Sequence, residues 1–152
     1  MDSFISKNFK IPDDNEDDAT TTTTAIFDDE MYHAKHAILC ADEVLKMIKN
    51  LQQKWLSEGK PKIDVGVGIN SGEVFLGNIG TQERMEYTVI GDVVNTASRI
   101  ESLCKTYKTD LLLSEYTARY LDNSINLEFI SESEIRGKEI KVKLFTLGRN
   151  CR

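Results

Sequence analysis

IDVGVGINSGEVFLGNIGTQERMEYTVIGDVVNTASR, residues 63–99, holds six of the chain's nine glycines, all between Gly66 and Gly91. Within it Ile63, Val65, Val67 and Ile69 alternate with Asp64, Gly66, Gly68 and Asn70, the two-residue period of a strand with one apolar face. Asn70-Ser71-Gly72 reads as a turn, and Glu73 to Ile79 as a strand returning from it. Gly66-x-Gly68 opens like a dinucleotide-binding pattern, but the third glycine comes four residues on and no helix follows it. These glycines are therefore expected to admit close backbone approach, by a helix or by a ligand. From Asp92 the period lengthens, and Val93, Ala97, Ile100 and Leu103 mark one side of a helix ending near Tyr107.

Upstream, Ala37, Ala41, Val44, Leu45, Ile48, Leu51 and Trp55 recur at three- and four-residue steps. They predict a helix over 29–57 that turns one face to a core and is closed by Gly59 and Pro61. His33, His36 and Cys40 share helical spacing but have no carboxylate at fixed spacing, so they read as surface residues and not as a metal site. Downstream, Asp110 to Ser114 reads as a buried strand, Glu115 to Leu121 as a short helix, and Leu127 to Ile130 and Lys141 to Leu147 as two final strands. Strands mixed with helices, with no internal repeat, give an α/β or α+β sandwich.

The net charge of −6 is unevenly distributed over the 152 residues. Residues 1–30 carry nine acids against Lys7 and Lys10, whereas the rest carry sixteen acids and seventeen bases. A nearly neutral body without a basic stripe argues against duplex nucleic acid as a partner. Residues 11–30, IPDDNEDDATTTTTAIFDDE, combine charge with five threonines and few apolar groups, and 1–28 is expected to be a disordered leader. Asp13, Asn15 and Asp17 imitate the start of a calcium loop, but Asp18 stands where glycine is required and Thr24 where a bidentate Glu is required. Cys40, Cys104 and Cys151 form no CxxC pattern, and reduced thiols are expected. No apolar run reaches the length of a membrane span and the first residues lack a signal-peptide core, so a cytoplasmic location is expected.

Asn95 and Arg99 stand four residues apart, so both side chains leave the same side of their helix near its N-terminal end. An amide that donates and accepts, one turn before a guanidinium fork, suits a sugar and an anionic phosphate. Arg serves better than Lys there because it stays charged and binds two oxygens at once. The helix N-terminus adds partial positive charge. On spacing alone, solvated polar residues on an exposed helix face remain the alternative.

The run 66–105, GVGINSGEVFLGNIGTQERMEYTVIGDVVNTASRIESLCK, with LLLSE (111–115) and RGKEIKVKLFTL (136–147), resembles the catalytic domain of class III adenylate and guanylate cyclases. The resemblance extends from about Ala37 to Leu147, and implies a ferredoxin-like nucleotidyl cyclase α/β sandwich lacking its N-terminal strands. It divides the chain into the leader 1–28, a partial catalytic domain 29–148 and a tail 149–152. It also implies that Asn95 positions the ribose and Arg99 stabilises charge on the α-phosphate. Thr88 would contact the purine edge, Val89 and Val94 would lie beside the base, and Arg136 and Lys138 would reach the triphosphate.

Thr88 and the surrounding EYTVIGDVVNTASR are similar to the subgroup containing soluble, bicarbonate-responsive adenylate cyclases, which favours ATP over GTP. The family reaction uses two divalent ions, magnesium or manganese, held by two aspartates on an upstream strand and hairpin. Neither motif is present in this sequence, no residue of the chain is expected to bind metal, and Asp92 matches the downstream helix and not a ligand position. Family sites form head-to-tail between two domains, so a homodimer or a pairing with another cyclase domain is implied. A half-site subunit, a piece of a larger cyclase, a noncatalytic nucleotide-binding or dimerisation module and a degenerate remnant all remain open.

Overall fold

The computed structural model describes the backbone of residues 2–10, 19–25, 30–62, 64–81, 84–135 and 141–148, with side chains over 33–62, 64–74, 91–135 and 141–148. Its elements are β1 (Asp2–Lys10), β2 (Ala19–Ala25), α1 (Glu30–Ser57), β3 (Asp64–Gly72), β4 (Phe75–Thr81), β5 (Arg84–Ile90), α2 (Asp92–Tyr107), β6 (Leu111–Ser114), α3 (Glu115–Ala118), β7 (Leu127–Ser133) and β8 (Val142–Leu147).

The alternating residues of β3 make it a central strand. It pairs antiparallel with β1, from Asp2 opposite Gly72 to Lys10 opposite Asp64, and parallel with β6, Ile69 opposite Leu113. With the outer antiparallel strands the sheet runs β2-β1-β3-β6-β8-β7, and β4 and β5 form a separate two-stranded ribbon. This is the expected α+β class.

Three local expectations need correction. Residues 2–10 and 19–25, expected within a disordered leader, are strands: β2 pairs with β1, and β1 with β3. Low hydropathy and charge pointed to disorder, but Thr20 to Thr24 is a β-branched run that favours extended backbone, and β3 supplies a ladder for β1. The calcium-like Asp13, Asn15 and Asp17 and the tail 149–152 lie outside the described residues. Next, Asn70-Ser71-Gly72 is not a turn. All three continue β3, since Asn70 and Ser71 are buried and hydrogen-bonded, and the chain leaves the strand at Glu73-Val74. Finally, β4 pairs with β5 and not with β3, Phe75 lying opposite Ile90.

The sheet separates two cores. On one face Val67 and Ile69 of β3, with Leu111 and Leu113 of β6, meet Ala37, Ile38, Ala41 and Leu45 of α1. On the other, Leu112, Val142 and Leu144 meet Ile100 and Cys104 of α2, together with Ile135. The 28 residues of α1 span about 42 Å, longer than the sheet it crosses. Its expected core stripe is therefore buried only as far as Leu45; Ile48 and Trp55 are half-buried and Leu51 is exposed. Gly59, at φ +72, closes the helix in a left-handed turn, its N–H donating to the Leu56 carbonyl and that of Lys60 to the Trp55 carbonyl.

His33, expected on the surface, is fully buried edge-on to Tyr120 with ring centroids 5.3 Å apart, whereas His36 and Cys40 are exposed. Among the described residues no group of three His, Cys, Asp or Glu is gathered to hold a metal ion, and no helix is long and apolar enough to cross a membrane.

Candidate active site

Alternate residues of β3 form a seam against α2. A Cβ at Gly66 would lie 2.8 Å from Glu101 Oε1 and 3.1 Å from Cys104 Cβ; at Gly68, 2.4 Å from both the Ala97 carbonyl and the Glu101 amide; at Gly72, 2.7 Å from Val93 Cγ2. The expected close approach is thus to a helix, and it leaves no room for side chains at these positions. Strand residues two apart share a face, and helix residues three or four apart share a side. The two periods mesh over Gly66, Gly68, Asn70 and Gly72 on one side and Cys104, Glu101, Ala97 and Val93 on the other.

Asn70 is the polar member of this seam on the strand side, only 3% exposed. Its Nδ2 donates to the Val93 carbonyl at 3.1 Å, and its Oδ1 accepts from Ser114 Oγ at 2.6 Å. Ser114 caps α3 by accepting from the Thr117 amide at 3.3 Å, and Ser71 Oγ donates to Thr117 Oγ1 at 3.1 Å. One buried amide therefore joins β3, the first turn of α2 and the β6–α3 junction. A lone amide among the glycines on one face of this strand is the available signal in the sequence, and turn chemistry conceals it.

Asn95 and Arg99 leave α2 away from this seam. Asn95 is exposed, Arg99 and Val94 are half-buried, and their neighbours Thr96, Ala97, Ile100 and Glu101 are buried. The helix opens after Gly91, whose backbone is extended and which provides no side-chain cap; the Val94 amide donates to the Gly91 carbonyl at 3.1 Å. The amides of this first turn leave partial positive charge on the side where Asn95 begins. Thr88 and Val89 belong to β5, opposite Gly77 and Leu76, and one residue, Gly91, separates β5 from α2. The fold thereby draws Thr88, Val89, Val94, Asn95 and Arg99 into one strand-to-helix passage. The side chains of Thr88 and Val89, and all of Arg136 and Lys138, lie outside the described residues.

A cavity of ≈ 750 Å³ lies at the other end of α2, lined by residues including Tyr107, Lys108, Asn126, Leu127 and Thr146, and contains none of these site residues. Cys104 is unsuited to chemistry. Burial pushes its thiol up to about 12, and Sγ donates to the Val67 carbonyl at 3.5 Å.

Comparison with known proteins matches residues 19–148 to the adenylate and guanylate cyclase catalytic domain. An adenylate cyclase of Anabaena cylindrica is 36% identical over 126 residues, and the terminal-differentiation-specific adenylate cyclase of Dictyostelium discoideum 33% over 113 residues. These matches cover 80% and 72% of this chain but only 25% and 5% of the relatives' own lengths. Among solved structures, the adenylyl cyclase CyaB from P. aeruginosa superposes with a TM-score of 0.81 at 20% identity, covering 100% of this chain and 97% of that one. The guanylyl cyclase Cya2 gives 0.73 at 19% identity, covering 99% and 94%. The superpositions show the fold, and the sequence matches show that this chain belongs to the adenylate and guanylate cyclase catalytic-domain family.

Proposed function

We propose that this chain supplies the ribose- and phosphate-binding half of a nucleotidyl cyclase site that converts ATP to cyclic AMP and pyrophosphate. The complementary half comes from a second cyclase domain that carries the metal-binding aspartates this sequence lacks. The reading rests on one observation: Asn95 and Arg99, one turn apart, leave α2 on the side opposite its seam with β3, immediately after Gly91.

In this reaction the ribose 3′-hydroxyl attacks the α-phosphorus, its proton is released, the bond to the β-phosphate oxygen breaks and pyrophosphate departs. Arg99 donates to the non-bridging α-phosphate oxygens as charge develops there, and Asn95 holds the ribose so that the 3′-oxygen stands in line. Thr88 meets the purine edge and favours adenine, Val89 and Val94 flank the base, and Arg136 and Lys138 reach the triphosphate. Magnesium or manganese supplies Lewis-acid charge neutralisation when bound. We assign the ion to the second domain because neither of the family's two aspartate motifs occurs in this sequence, and neither Asn95 nor Arg99 acts through it. A substrate drawn from the cellular ATP pool fits a cytoplasmic location.

Complementation tests this. The purified chain is mixed with a cyclase domain that keeps its metal-binding aspartates but has its own Asn/Arg pair replaced by alanine. Cyclic AMP should form from the mixture and from neither component alone. Nucleotide binding without restored turnover would instead favour a noncatalytic nucleotide-binding or dimerisation module.

A further inference from the structure

We infer that Asn70 is a positioning residue for this site: its buried amide fixes the first turn of α2, and thereby the side chains of Asn95 and Arg99, against the β6–α3 junction. The inference rests on the proposed cyclase reading for its catalytic consequence, but not for the mechanical link itself.

Three observations carry it. Asn70 spends both ends of its side chain on different elements, Nδ2 on the Val93 carbonyl and Oδ1 on Ser114 Oγ. Val93 precedes Asn95 by two residues and Arg99 by six, so movement of its carbonyl moves the start of both side chains. The other three β3 positions in the seam are glycines, which bring α2 close but offer no side-chain bond to set its rotation or its shift along the strand. A glycine–helix contact resists approach and tolerates sliding, whereas a hydrogen bond of 3.1 Å to one named carbonyl does not.

The chemistry of the amide provides the test. Asn70→Ala removes both bonds. Asn70→Asp is nearly isosteric, but as a carboxylate it cannot donate to the Val93 carbonyl and turns a negative oxygen toward it. Protonated, the same side chain donates O–H to Val93 while its other oxygen accepts from Ser114, restoring the native pattern. Burial raises the pKa of such a carboxyl, bringing that protonation within an accessible range.

In the complementing mixture, Asn70→Ala should lower kcat per folded complex about tenfold with little change in KM. In an Arg99→Ala background the same change should cost clearly less than in the wild type, the remainder passing through Asn95. The kcat of Asn70→Asp relative to wild type should rise as pH falls from about 8 to about 6, while that of Asn70→Ala stays flat. Val142→Ala, a core truncation beneath α2 but away from the seam, shows what destabilisation alone does and should leave kcat per folded complex unchanged. Unchanged kcat in Asn70→Ala, additivity with Arg99→Ala, or a flat Asn70→Asp profile would overturn the inference.

Amide exchange on the full chain gives a second readout. Asn70→Ala should release protection over residues 94–97 while residues 100–104 keep theirs, and uniform or absent change overturns the link. If the wild-type chain fails to complement but this selective release is seen, the cyclase reading falls and the mechanical link stands.

Discussion

The two faces of β3 hold their helices by opposite means. Toward α1 the strand presents Val67 and Ile69, bulky side chains that fill volume among Ala37, Ile38 and Ala41. Toward α2 it presents glycines, of which Gly68 lets backbone meet backbone while Gly66 and Gly72 make room for side chains of the helix, and one amide. A contact made of methyl groups can repack after a small change, since its energy is spread over many weak pairs. A contact made by the absence of side chains has nothing to rearrange. The helix bearing Asn95 and Arg99 is attached on the face that resists closer approach and holds its position through the Asn70 bond, which suits the proposed site, whose geometry would govern its rate.

The sharpest way to break this contrast is Gly68→Ala. The added Cβ would stand 2.4 Å from two backbone atoms of α2, so the helix must lift, and a loss of about 3 kcal/mol is expected in denaturant unfolding. Arg99→Ala should leave that attachment intact. Reconstituted turnover should fall about 10²-fold with stability changing by under roughly 1 kcal/mol, because alanine is a strong helix former. Asn95→Ala should behave alike; if either variant instead melts early while turnover per folded molecule holds, the residue belongs to the scaffold. On the opposite face Ile69→Val, at the position next to Gly68, removes a single methyl group from a fully buried side chain and should cost only about 1 kcal/mol.

The smallest effect is expected where α1 is tied to the 122–124 turn. Bonds from the Ser124 hydroxyl and amide, then Lys35, hold the Asp122 carboxyl down to about 2. A depressed carboxyl contributes stability above its unfolded pKa and loses it as pH falls through the folded one. A small stability difference between wild type and Asp122→Asn at neutral pH should therefore vanish between about pH 4 and about pH 2, as read from melting curves.

Much of this organisation is legible in the residues. The 3.6-residue periods of 37–55 and 93–103 mark both long helices, and DLLLS marks the strand beside β3, because single periodic segments carry their own signal. Pairing between distant segments does not. β1 and β2 are hidden because charge and low hydropathy describe what a segment can bury, whereas their place depends on a ladder offered by β3 far along the chain. Asn70 reads wrongly as a turn residue because Asn, Ser and Gly favour turns when solvated, and only the packed helices α2 and α3 show that Asn70 and Ser71 are buried in this strand. Asn95 and Arg99 stand out through their spacing and the motif around them; the seam that orients them is visible only as an excess of glycine.

The position of β3 in the sheet also bears on how the chain reaches this state. Its neighbours lie far from it in sequence on either side: Ile69 pairs with Ile5 on one side and with Leu113 on the other, with α1 between the first two and α2 between the second. Each ladder must close a long loop before any of its bonds form, whereas the β4–β5 and β7–β8 hairpins close short ones. The hairpins should therefore appear early and the central ladders late. During that interval the strand with the most to bury stands bare, so refolding at high concentration should lose material to aggregation through residues 64–72 before the sheet is complete.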